Sequence, residues 1–210
     1  MLKNRKGVSP ILASLIVFGV LLVIIIVVGI SVLFWVIGTK NALVTLDEGT
    51  KGAWGNVQTA YQRRADLIPN LVATVRQYSD YEGDLLEKVT LARASVGKAN
   101  TPADLQKAGE ELDISNPQSA LSRLLVVVEN YPDLKANQNY LDLQAQLEGT
   151  ENRIKVERDN YNKAIQAYNT RVRMFPTSIV ANMYGFGQKD YFGASPGSEN
   201  APDVNKLFDQ

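Results

Sequence analysis

Four charged side chains fall where this chain otherwise keeps apolar residues. Glu82 lies on one stripe of three- and four-residue spacing, and Glu151, Arg158 and Arg171 lie beside another. Two chemistries suit such acids. Paired carboxylates perform general acid–base catalysis when a cleft brings substrate between them. An acid facing an arginine across a helical interface instead forms a buried ion pair that fixes register. The sequence favours the ion pair, because no nucleophile or metal-ligand set accompanies the acids. With 0 cysteines and 0 histidines, thiolate and imidazole catalysis, disulfides and most zinc, haem and di-iron sites are excluded. A phosphate-cradling glycine loop, a nucleophile elbow and a calcium loop are likewise missing from the sequence. The expectation is a non-enzymatic protein with no cofactor.

The elements that would position these groups begin with a membrane-length segment. From Gly7 to Thr39 no residue is charged, and "ILASLIVFGVLLVIIIVVGISVLFWVIG" is long enough to cross a bilayer, which takes about 20 apolar residues. A secretory signal has an apolar region of only about 7 to 15 residues, so residues 10–39 read as an uncleaved transmembrane helix. Lys3, Arg5 and Lys6 precede the span, whereas Lys40, Asp47, Glu48 and Lys51 follow it. The positive-inside rule then keeps residues 1–9 in the cytoplasm and turns the domain outward. Trp35, near the outer end, suits the membrane interface or simply faces lipid. The 22 basic and 22 acidic residues give a net charge of +0, so no nucleic-acid partner is expected.

Beyond residue 40 the apolar spacing is helical throughout, and no alternating strand pattern appears. Leu43, Leu46, Thr50, Ala53, Val57, Ala60 and Arg64 form one stripe, and Ile68, Leu71, Val75, Tyr78, Glu82, Leu85, Val89, Ala92 and Val96 a second. A third segment runs from Pro102 to Asn130, with "DISNPQ" splitting it. A fourth runs from about Ala136 to Phe175. Thr101 and Pro102 suit an N-cap and first helical position, and Gly97 a C-terminal cap. The fold expected is all-α: a transmembrane helix followed, over residues 40–176, by an up-and-down bundle of four long helices.

The stretch "QRRADLIPNLV" is expected to be a corner between the first two of these helices. Pro69 has no N–H and its ring crowds the carbonyl four residues back, so it is best tolerated in a first turn. Asp66 would then be the N-cap of the second helix, with Arg63 and Arg64 at the negative end of the first.

The same residues carry a resemblance. "AWGNVQTAYQRRADLIPNLVATVRQYSDYEGDLLEKVTLARA" and "LEGTENRIKVERDNYNKAIQAYNTRVRMFPTSIVANMYGFGQKDYF" resemble the LemA family, over about Lys40 to Phe192. The resemblance implies a membrane-anchored bundle of long helices and no established catalytic activity. The front end departs from it: "RKGVSPILASLI" resembles the processing site of archaeal type IV prepilins, which implies cleavage between Gly7 and Val8, an archaeal source and assembly through the apolar helix.

Residues 177–210 form a tail of mixed character. Tyr184, Phe186, Tyr191 and Phe192 are too apolar for a wholly disordered segment and either fold back onto the bundle or dock onto a partner. Tyr161-Asn162 and Tyr168-Asn169, seven apart, put two tyrosines on one core face. The expected function is a membrane-anchored scaffold or interaction module at the cell envelope, with a protein partner or self-association. A pilin-like filament subunit is the alternative.

Overall fold

The computed structural model describes residues 10–77, 83–114 and 116–193. Gly7, Val8 and Glu82 lie outside these residues. Among those described there are seven helices and no strand: α1 Pro10–Arg76, α2 Gly83–Val96, α3 Pro102–Glu110, α4 Ala120–Val128, α5 Pro132–Lys135, α6 Gln138–Arg173 and α7 Thr177–Tyr184. In place of four long helices there are two, α1 with 67 residues and α6 with 36, and α2 to α5 and α7 are short. At 1.5 Å per residue α1 is about 100 Å long. It carries the apolar span and the first wall of the domain without a break.

The sequence dictates most of these boundaries through caps. Thr101 Oγ1 accepts the Asp104 N–H at 3.1 Å, with Pro102 at the first helical position of α3. Asn137 accepts the N–H groups of Asn139 and Tyr140 to open α6. Gly97 directly follows α2 without a positive φ, whereas Gly185 closes α7 at φ 77° in the left-handed region that favours glycine.

The expected corner at Arg63–Pro69 does not form. α1 runs through Pro69, and Asp66 is a mid-helix residue whose carboxylate accepts from Gln62 Nε2 at 2.8 Å instead of capping a new helix. The apolar phase explains why. Ala60, Arg64, Ile68, Leu71 and Val75 are all buried, and the step from 64 to 68 is itself four residues, so one stripe passes unbroken through both expected segments. Proline also leaves the carbonyl four residues back without its helical donor. Here that carbonyl belongs to Ala65, a fully buried residue, and it accepts from Arg93 Nε of α2 at 3.2 Å. A side chain from the neighbouring helix replaces the N–H that Pro69 lacks, and the exposed proline ring points away from the core.

α6 packs antiparallel along α1, as the pairing of Leu43 with Tyr168 and Val172, Trp54 with Tyr161, and Arg64 with Thr150 shows. α2 packs on α1, with α3 and α4 against α2. Val57, Ile68, Leu71, Val89, Leu105, Leu121, Leu124, Leu147 and Ile165 fill the main core. A smaller cluster of Leu43, Tyr168, Val172 and Ala181 closes the end nearest the span.

The Pro69–Arg93 compensation makes a quantitative prediction. Replacing Arg93 by Met should cost about 1 to 3 kcal/mol, the penalty for leaving a buried carbonyl unpaired. In a Pro69→Ala background, where an N–H is restored to Ala65, the same change should cost at least about 1 kcal/mol less. Thermal melts of the four detergent-solubilised chains measure the difference, and equal costs in both backgrounds would refute it.

Candidate functional site

The most demanding group in the domain is Arg64. It is 1% exposed, and a buried guanidinium must have its donors occupied. Nε donates to Thr150 Oγ1 at 3.2 Å, Nη1 to the Leu112 carbonyl at 3.1 Å and Nη2 to Glu151 Oε2 at 2.5 Å. Thr150 in turn donates to the Leu147 carbonyl at 2.7 Å. The three acceptors come from α6 and from the turn after α3. Only a planar fork on a long stem reaches all of them.

Of the charged residues singled out in the sequence, the three that are described, Glu151, Arg158 and Arg171, each have a definite place. Glu151 pairs with Arg64 of α1, so its partner is neither Arg158 nor Arg171. Arg158 donates from Nη2 to the Gly193 carbonyl at 2.8 Å and lies 5.1 Å from the centre of the Phe192 ring. Arg171 is exposed near the end of α6. Arg63, one residue from the pivot, is exposed and lines a groove of about 510 Å³ with Asn56, Thr59, Gln146 and Arg153. The carboxylates beside this groove are neutralised by arginines, Glu151 by Arg64 and Glu157 by Arg153. Among the described residues no group of three acids is placed to hold a metal ion.

The second feature is the way the segment after α7 is tied down. Residues 185–193 run back along the α1–α6 seam as an extended strap. Two asparagines seven apart on α6 grip its backbone. Asn169 accepts the Lys189 N–H at 2.9 Å and donates to the Lys189 carbonyl at 2.8 Å. Asn162 does the same to Phe192, at 2.9 and 3.2 Å. Tyr161 adds a hydroxyl donated to the Asp190 carbonyl at 3.2 Å. The expected tyrosine pair is thus joined by an asparagine pair that does the recognising, because an amide side chain offers a donor and an acceptor that match the C=O and N–H of one residue.

Of the four tail aromatics, Phe192 is 4% exposed and sits between Trp54, at 5.8 Å, and Tyr161, at 5.4 Å between ring centres. Phe186 packs half-buried against the smaller cluster. Tyr184 and Tyr191 remain exposed, with the Lys40 ammonium 4.7 Å from the Tyr184 ring centre. The strap's Lys189 is the residue that sequence reasoning missed. Its ammonium reaches Asp47 Oδ1 and Thr50 Oγ1, each at 2.6 Å, and lies 4.9 Å from the Tyr168 ring centre. Partial burial pushes the Asp47 carboxyl up, but hydrogen bonds from Lys189 and Lys51 outweigh it, and the group sits below its ordinary value of 3.8.

Fold and site together define a class: a protein helical throughout its described residues, apart from turns and the strap, in which a membrane-length apolar helix continues into a two-long-helix domain closed by a strap after α7 and tied by a buried arginine–glutamate pair. The chain belongs to the LemA family, whose model matches residues 53–205. It is similar to the magnetosome protein MamQ 2 of Paramagnetospirillum magneticum, 26% identical over 81% of this chain and 70% of that protein. It is also similar to MamQ of Magnetospirillum gryphiswaldense, 23% identical over the same shares, and to the protein LemA of Metamycoplasma hominis, 27% identical over 85% of this chain and 79% of that one.

Two outcomes are expected. Arg64→Met should lower stability by about 3 to 5 kcal/mol, since it strands the acceptors of a buried pair, and Arg64→Lys should recover little of this because one ammonium cannot span three acceptors. A thermal melt of each variant decides it. Asp47, with its carboxyl pKa lowered in the folded chain, contributes stability in full above about pH 4 and loses it as pH falls through the folded value. In a Trp35→Phe chain, emission from Trp54 should therefore report strap release on acidification, and the Asp47→Asn variant, which lacks this ion pair at every pH, should release the strap at a higher pH than the chain that keeps Asp47; identical acid profiles would refute the assignment.

Proposed function

We propose that this LemA-family protein is a single-pass membrane-anchored, non-enzymatic scaffold or interaction module, with its helical domain on the outer side of the cell membrane. The observation that carries the reading is the continuity of α1. Residues 14–35 of this helix are exposed along their whole length and overwhelmingly apolar, and the same helix passes into the core at Leu43 and Val57 with no intervening loop. A domain built on a rigid extension of its own anchor holds a fixed height and orientation over the bilayer. From Lys40 to Arg76 the helix would reach about 55 Å outward. Such a projection suits presentation of a surface to a partner protein or to further copies of the chain better than it suits turnover of a small substrate.

The outward orientation rests on the basic flank Lys3, Arg5 and Lys6. The pilin-like alternative draws on the same uncovered apolar helix, which would pack into a filament core after cleavage at Gly7; a mature chain whose intact mass begins at Val8 would favour it over the anchored scaffold.

The chain's lack of cysteine supplies a direct test of topology and role. A single Lys155→Cys variant should react with a membrane-impermeant maleimide in intact cells, and protection until lysis would overturn the outward orientation. Chemical crosslinking in native membranes should yield a defined complex or oligomer. Recovery of monomer alone, with no co-purifying partner, would overturn the scaffold role.

A further inference from the structure

Among the described residues beyond the span, the turn between α6 and α7 gathers several exposed large apolar side chains. Phe175 is 81% exposed, Met183 62%, Ile179 57% and Met174 53%. Phe175, Ile179 and Met183 follow one another at steps of four, while Thr177, Val180 and Ala181 turn inward. α7 is therefore two-faced: one side closes the smaller core cluster and the other is left exposed by the described residues.

Its height is fixed by the antiparallel pairing. Val172 and Ala181 pack with Leu43 of α1, and Tyr184 lies over Lys40, the first charged residue after the span. Three residues beyond Val172, Phe175 stands level with about Lys40, where α1 leaves the apolar segment. Trp35 lies a little over one turn below. The charge around the corner has one sign: Lys40, Arg171 and Arg173 are exposed, and α7 contains no acid. Apolar residues at the level of a bilayer surface, flanked by cations at phosphate depth, are the composition of an interfacial membrane contact.

We propose that the α6–α7 corner is a second membrane contact, in which Met174, Phe175, Ile179 and Met183 enter the interface of the leaflet from which α1 emerges, with Lys40, Arg171 and Arg173 at its lipid phosphates. The proposal rests on the reading of α1 as a membrane anchor and deepens it. Two contacts, one spanning and one lying in the surface, stop the domain from pivoting on its helix. They also join the strap to the membrane, since residues 185–193 begin where α7 ends.

The test uses the full chain reconstituted into phosphatidylcholine–phosphatidylglycerol vesicles. An environment-sensitive fluorophore is placed on single cysteines: Phe175→Cys and Met183→Cys at the corner, Val28→Cys within the span, and Lys155→Cys high on α6. Emission at 175 and 183 should be blue-shifted and quenched several-fold more than at 155 by lipids carrying a shallow spin label, and emission at 28 should be quenched by lipids labelled near the end of the acyl chain. Corner fluorophores behaving like that at 155, while position 28 is quenched, would overturn the second contact and leave the anchor intact. Loss of quenching at position 28 as well would overturn the anchor itself. A blue shift at the corner without lipid quenching would also overturn the proposal, because it would mean that another protein surface covers this face.

Discussion

The structure is organised around the cost of burying one guanidinium. Arg64 lies in the core stripe of α1, and leaving any of its donors unpaired there would cost more than most single packing contacts return. Its three acceptors, Leu112, Thr150 and Glu151, come from segments far apart in the chain. They can converge only when α6 lies at one height along α1 and the turn after α3 closes over both. Sliding α6 by one helical turn would leave the cation without its carboxylate. An apolar stripe alone tolerates such slips far better, because one Leu–Ile contact resembles the next. The arginine thus sets the register that the hydrophobic core then fills.

That register has consequences along the whole α1–α6 seam. With Arg64 opposite Thr150, Trp54 meets Tyr161 and leaves a slot for Phe192, while Asp47 and Thr50 face Tyr168 and leave room for Lys189. The strap reads these positions through its backbone, by the paired amides of Asn162 and Asn169, and through two side chains, one aromatic and one cationic. Long polar side chains are used here as ties between segments. The same seam sets the height of the α6–α7 corner relative to the end of the apolar span.

Pro69 shows how such a helix stays continuous through a residue that usually ends one. Its ring lies on the exposed side, and the donor it lacks is replaced by Arg93 from the adjacent helix. Local chemistry at this point argues for a corner; tertiary contact supplies what local chemistry withholds. α1 remains one element, and the apolar segment and the first wall of the domain share one helix.

Much of this was determined by the sequence alone, because its causes are local. The charge-free run from Gly7 to Thr39, the helical spacing beyond it, the split at Pro117 and the caps at Thr101 and Pro102 depend on residues a few positions apart. The ordered motifs also carried the family. Arg64 itself was visible as a charged residue on an apolar stripe, and Asn162 and Asn169 as a seven-residue repeat. What only the tertiary structure decided were the partners: Arg64 with Glu151, Arg93 with Ala65, Lys189 with Asp47, and the return of the tail onto α6 in preference to solution. These pairs are 28 to 142 residues apart or, for the tail, fixed by backbone groups that every residue shares. Periodicity says which face of a helix is buried. It does not say which helix covers that face or at what height, and that choice is made where buried polar groups find the few acceptors able to satisfy them.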